Sequence, residues 1–138
     1  MKIIYIILIA LTLFDFGMDV SLANVDGTWK INGLGADSMV LAQSDNRVYG
    51  TYNTPQGQGA IDGYIDAQNV WQGTWNEPFN DDWGYFSAAF SNDTSRLCGS
   101  WKYAYSDSEM YWYRPYYGGW DGSFQGVKQL QANTTTNS

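Results

Sequence analysis

The chain has no histidine, a single cysteine and only seven basic residues against fourteen acidic ones. Without His, neither a Ser-His-Asp nor a Cys-His catalytic arrangement exists, and the commonest zinc sites are excluded as well. The lone cysteine, Cys98, excludes an internal disulfide framework and any Cys-x-x-Cys chemistry. A formal net charge of −7 provides no basic stripe for phosphates, which argues against nucleic acid as a partner. Charged residues make up only 15% of the chain, and Glu77 and Glu109 are its sole glutamates. What is abundant is aromatic: seven Trp, eleven Tyr and six Phe, beside fifteen Gly. At 138 residues the chain fits one domain, since compact domains commonly run about 100–150 residues.

Residues 1–23 read as an export signal rather than part of the fold. Lys2 is a minimal positive start, residues 3–14 are almost unbroken apolar, and Ser21-Leu22-Ala23 puts small residues where a signal peptidase reads. The stretch is too short for a stable membrane span of about 20 residues. Asp15 and Asp19 are unusual in such a leader and keep an uncleaved anchor as the alternative. Residues 24–130 then form a single domain, secreted or displayed at the cell surface, with no membrane span once the leader is removed. Residues 131–138 form a polar tail. In an oxidising compartment Cys98 is expected to be buried and inert, with pairing to another chain as the alternative. Asn92-Asp93-Thr94 and Asn133-Thr134-Thr135 are glycosylation sequons, relevant only in a host that glycosylates.

The domain repeats a five-residue unit: apolar, any, Gly, any, apolar or aromatic. It occurs as Val25-Asp26-Gly27-Thr28-Trp29, Val48-Tyr49-Gly50-Thr51-Tyr52, Ile61-Asp62-Gly63-Tyr64-Ile65, Trp71-Gln72-Gly73-Thr74-Trp75 and Leu97-Cys98-Gly99-Ser100-Trp101. A degenerate sixth copy starts at Phe124. Spacing between copies is uneven, so what recurs is a strand type rather than a solenoid repeat. In a strand, positions i, i+2 and i+4 share a face, so the apolar residues and the glycine point inward together. A core-facing glycine serves where a strand coils sharply or a neighbouring ring lies over the backbone. Strands are expected at 27–31, 38–43, 47–53, 60–67, 70–76, 84–90, 96–105 and 121–130, joined by short turns. Short connections favour an antiparallel up-and-down meander, and eight strands can close a barrel. The expected fold is therefore an all-β, eight-stranded antiparallel barrel, with an open two-layer sandwich as the competitor.

These motifs resemble a group of secreted bacterial and archaeal β-proteins of unknown role. The likeness rests on Gly50-Thr51-Tyr52, Gly59-Ala60-Ile61-Asp62-Gly63, Gly73-Thr74-Trp75-Asn76-Glu77, Gly84-Tyr85-Phe86 and Gly99-Ser100-Trp101. It spans roughly residues 25–105, and it implies a fold without an activity. More distantly, Gly27-Thr28-Trp29, Leu34-Gly35, Met39 and Gly50-Thr51-Tyr52 follow the order seen in the avidin family of biotin-binding barrels. That resemblance implies an avidin- or lipocalin-like barrel in which Trp29 and Tyr52 line a ligand pocket, with Asn32 or Ser38 donating hydrogen bonds. Asn32 and Ser38 depart from that family's spacing, and its later Trp and Asp positions have no counterpart here.

Residues 101–120 hold the densest aromatic run. Trp101, Tyr103 and Tyr105 share a strand face and read as core, whereas Tyr111, Trp112 and Tyr113 alternate and cannot all face inward. Tyr116-Tyr117-Gly118-Gly119-Trp120 reads as a loop carrying exposed rings. Aromatic platforms beside Asp, Asn and Gln suit sugars, because rings stack on pyranose C–H faces while amides and carboxylates bind hydroxyls. The expected function is a secreted, non-catalytic binding module for carbohydrate or another small ligand. Trp112, Tyr113, Tyr116, Tyr117 and Trp120 would stand at its rim, with Trp29, Tyr52 and Trp75 deeper in the barrel. Self-association of a surface subunit through the Tyr/Trp loop is the alternative, and packing at the barrel mouth the blander one. A glycosidase would need two carboxyls about 5–10 Å apart, with Glu77 and Glu109 as candidates near Asp81, Asp82 and Asp107. Solvated loop acids are the simpler reading of both. No Asp-x-Asp-x-Asp-Gly loop exists, and no metal or cofactor is called for.

Overall fold

The structure, a computed structural model, describes residues 23–104 and 120–130. Eight strands follow in order: β1 (Gly27–Gly33), β2 (Ala36–Ser44), β3 (Arg47–Thr54), β4 (Gly57–Ile65), β5 (Val70–Glu77), β6 (Asp82–Phe90), β7 (Arg96–Tyr103) and β8 (Gly122–Lys128). Each pairs antiparallel with its sequence neighbours, and β1 pairs with β8, so the sheet closes into a barrel. The sandwich is thereby excluded. Closure gives every strand two partners and removes the free edges that an open sheet exposes.

The alternation read from the sequence is the alternation observed. Trp29 and Ile31, Val48 and Tyr52, Ile61 and Ile65, and Trp71 and Trp75 are all buried, while Thr28, Lys30, Tyr49, Tyr64 and Thr74 face out. The interior is filled by a chain of rings in contact, three of the four pairs edge to face and Trp71–Phe90 tilted. Trp29 meets Phe90 at 5.4 Å, Phe90 meets Trp71 at 5.5 Å, Trp71 meets Phe86 at 4.5 Å, and Phe86 meets Phe124 at 6.4 Å. Each buried side chain of this size contributes about 1.5–3 kcal/mol by leaving water. The inward glycines make room for these rings: at Gly59 an added Cβ would lie 2.6 Å from Tyr52 Cε2, and at Gly84 2.8 Å from Trp75 Cζ2.

The connections are tighter than the turn residues suggested. Gly33 pairs with Ala36, leaving a two-residue loop of Leu34 (φ 58°) and Gly35 (φ 64°), the positive-φ pair that matches the twist of a β-hairpin. Thr54 pairs with Gly57, and the Thr54 hydroxyl accepts from the Gln56 and Gly57 backbone N–H groups, so a turn expected over 54–59 shrinks to Pro55-Gln56. At the other end of the barrel the Asp93 carboxylate organises the β6–β7 turn. It accepts from the Ser95 and Ser91 hydroxyls and from the Ser95 N–H, which hold its pKa down at about 2.

Cys98 departs from expectation. It is exposed on the outer face of β7 rather than buried, because the inward positions of that strand are taken by Leu97, Gly99 and Trp101. Lys102 is the reverse case. It is fully buried although its neighbours Trp101 and Tyr103 point inward, and the Trp120 ring lies 4.9 Å from its Nζ.

Candidate ligand site at the open end of the barrel

The chain runs up and down, so the C-terminal ends of β1, β3, β5 and β7 gather at one end of the barrel. Around that end the structure opens a cavity of about 220 Å³. Its apolar walls are Trp75, Trp101, Tyr103 and Leu34. The three rings meet edge to face: Trp75 to Trp101 at 5.8 Å and 87°, Trp75 to Tyr103 at 5.6 Å and 67°, and Trp101 to Tyr103 at 5.1 Å and 85°. Leu34 holds a left-handed backbone conformation, uncommon for a bulky residue, and is nonetheless 8% exposed at the cavity wall.

Polar groups come from the two adjacent hairpins: Thr54 and Gln56 from β3–β4, and Glu77, Asn80 and Asp82 from β5–β6. Glu77 is held at both oxygens. The Tyr52 hydroxyl donates to Oε2 at 2.8 Å, and Asn80 Nδ2 donates to Oε1 at 2.9 Å. Burial first, then the Glu77 carboxylate, push the Tyr52 phenol well above its ordinary pKa, so it remains a donor. Asp82 pairs with Glu77 in the strand register, and its backbone N–H is capped by Asn80 Oδ1 at 3.0 Å. Its carboxylate has no hydrogen-bond partner among the described residues.

The most telling atom is Trp75 Nε1. It is buried without a hydrogen-bond partner among the described residues, whereas Trp29 Nε1 donates to the Val25 carbonyl and Trp71 Nε1 to the Val48 carbonyl, both at 3.1 Å. Leaving a buried N–H unpaired costs about 1–3 kcal/mol, a cost that native folds usually avoid.

The residues named from the sequence are thus distributed unevenly. Trp75 is in the cavity wall, and Tyr52 lies fully buried beneath it as the anchor of Glu77. Trp29 is fully buried at the opposite end against Phe90 and does not line the cavity. Trp120 stacks over Lys102 rather than entering the lining. Trp112, Tyr113, Tyr116, Tyr117, Glu109, Tyr105 and Asp107 lie outside the described residues. Asn32 is exposed on the outer face of β1, and the Ser38 hydroxyl accepts from Asn53 Nδ2 on the outside of the sheet. Trp101 and Tyr103, read as core, are only partly buried and complete the aromatic wall. Glu77, read as a solvated loop acid, ends β5 in a fixed hydrogen-bonded position. Among the described residues no group of three or more Cys, Asp or Glu is placed to hold a metal ion. Neither a protein-family model, nor a curated protein, nor a solved structure matches this chain.

Proposed function

We propose that the protein is a secreted, non-catalytic binding module whose open end takes a carbohydrate ring. The observation that carries this reading is a cavity that sets the Trp101 and Tyr103 rings beside the polar side chains of Thr54, Gln56, Asn80 and Asp82. A cavity of about 220 Å³ is below the roughly 300–1,000 Å³ of drug-sized pockets, which suits a single sugar ring or the end of a chain. Trp101 and Tyr103 offer faces for the C–H side of a pyranose, and Thr54, Gln56 and Asn80 offer partners for hydroxyls. Glu77 supports binding over hydrolysis, because both its oxygens are already engaged and it serves best as a fixed acceptor. Secretion rests on the apolar leader of residues 3–14 and the small residues that follow it.

The test is a titration of intrinsic tryptophan fluorescence with mono- and oligosaccharides, with biotin as the comparison ligand. A saturable change with a sugar, abolished in Trp101→Ala, is expected. A saturable response to biotin alone would favour the avidin-like reading. No response to any ligand would contradict the proposal.

A further inference from the structure

The cavity has an electrostatic sign. Two acidic residues, Glu77 and Asp82, are register partners across the β5–β6 hairpin, and among the described residues no Lys or Arg lines the cavity beside them. The Glu77 oxygens are occupied by Tyr52 and Asn80, but the Asp82 carboxylate is left for a ligand. The walls carry the same sign, because the faces of Trp and Tyr rings are the negative ends of their quadrupoles and attract cations. A ligand matching both features has a ring with a C–H face and a positive charge.

We propose that the open end selects a protonated amino sugar over neutral and acidic sugars. The ammonium group sits at Asp82 with Glu77 beside it, and the ring lies against Trp101 and Tyr103. This assignment rests on the sugar-binding reading above and adds the charge of the ligand to it. Uronic acids are rejected, since a carboxylate in this cavity meets two others with no counter-charge among the described lining residues.

The experiment compares glucosamine, glucose and glucuronate, which differ chiefly in one charged group, by calorimetric titration of the full-length chain at pH 6. Glucosamine is expected to bind at least about fivefold more tightly than glucose, the preference that an accessible ion pair supports, and glucuronate not to saturate. The preference should shrink as salt is raised. In Asp82→Asn it should fall to near unity, through a loss of glucosamine affinity. That variant removes no hydrogen bond seen in the fold, and circular dichroism checks that it is folded. Equal affinity for all three sugars, or a preference for glucuronate, overturns the charge assignment and leaves the sugar site standing. Glucosamine preference that survives Asp82→Asn unchanged overturns the placement of the ammonium. Silence with every sugar overturns both this inference and the sugar-binding reading beneath it.

Discussion

At one end of the barrel the indoles of Trp29 and Trp71 are buried, packed against Phe90 and hydrogen-bonded to the Val25 and Val48 carbonyls; at the other end the equally buried Trp75 has no acceptor among the described residues. The residue type is the same and the exposure nearly so, with Trp75 at 2% and the other two at 0%. The difference lies in what surrounds each ring. The packed end saturates its donors with backbone, and rings fill the interior. The open end sets three rings edge to face around a space and crowns it with carboxylates and amides. One end is closely packed with its donors satisfied, and the other retains a buried donor without a partner among the described residues.

The sharpest way to break this contrast is to truncate an indole at each end. Trp71→Ala should destabilise the barrel by about 3–5 kcal/mol, because it opens a cavity against Phe86 and Phe90, and urea denaturation reads it directly. A loss well under that would mean that the packed end is loosely built. Next comes Tyr52→Phe, which frees Glu77 Oε2 and should cost about 1.5–3 kcal/mol, the range for hydrogen bonds to charged acceptors. The raised Tyr52 pKa gives this a pH signature. The folded state keeps a proton that the unfolded chain releases near pH 10, so this contribution is complete below about pH 10 and declines as pH rises further. Alkaline denaturation of Tyr52→Phe should lack that part of the slope.

Gly84→Ala addresses the open end through its backbone. An added Cβ would run into the Lys102 carbonyl and the Trp75 ring, so a cost of about 1–3 kcal/mol is expected together with weakened sugar binding. Trp101→Ala should cost about 1 kcal/mol, since the ring is only partly buried, yet abolish the fluorescence response to sugar. Similar stability losses for Trp71→Ala and Trp101→Ala would erase the distinction between the two ends. The smallest effect belongs to Asp93 in the β6–β7 turn. Its carboxylate is held at about 2, so the stability it supplies is present above its ordinary value of 3.8 and is lost as pH falls toward 2. In Asp93→Asn that acid-side slope should flatten, with little change near neutrality.

Much of the fold was legible because one local device repeats. The apolar-x-Gly-x-aromatic unit states both the period of two and the ring-over-glycine packing, as Gly99 under the Phe124 ring shows. Turn lengths were less legible. Leu34 gives no sign in its side chain that it will occupy a left-handed turn position, and the Thr54 hydroxyl tightens a loop that reads as six residues long. Cys98 was misread because burial in oxidising compartments is a tendency of the residue, whereas its parity in β7 places it outside. At the candidate site, Trp29 and Trp75 look alike in sequence, since each ends a copy of the same unit. What separates them is depth along the barrel axis. Trp29 lies early in β1, and Trp75 lies late in β5, where odd-numbered strands reach the open end. Trp101 and Tyr103 lie late in β7 for the same reason, so strand direction was the signal that distinguishes wall from plug.

The central claim is that the open end, with Trp101 in its wall, meets the ligand while the packed end does not. It is tested most directly by the indole N–H resonances in a ¹⁵N-labelled sample titrated with glucosamine. The account predicts that the Trp101 indole signal shifts as a sugar ring packs against it, while those of Trp29 and Trp71 stay in place. Movement at Trp29 or Trp71 with Trp101 unchanged would contradict it.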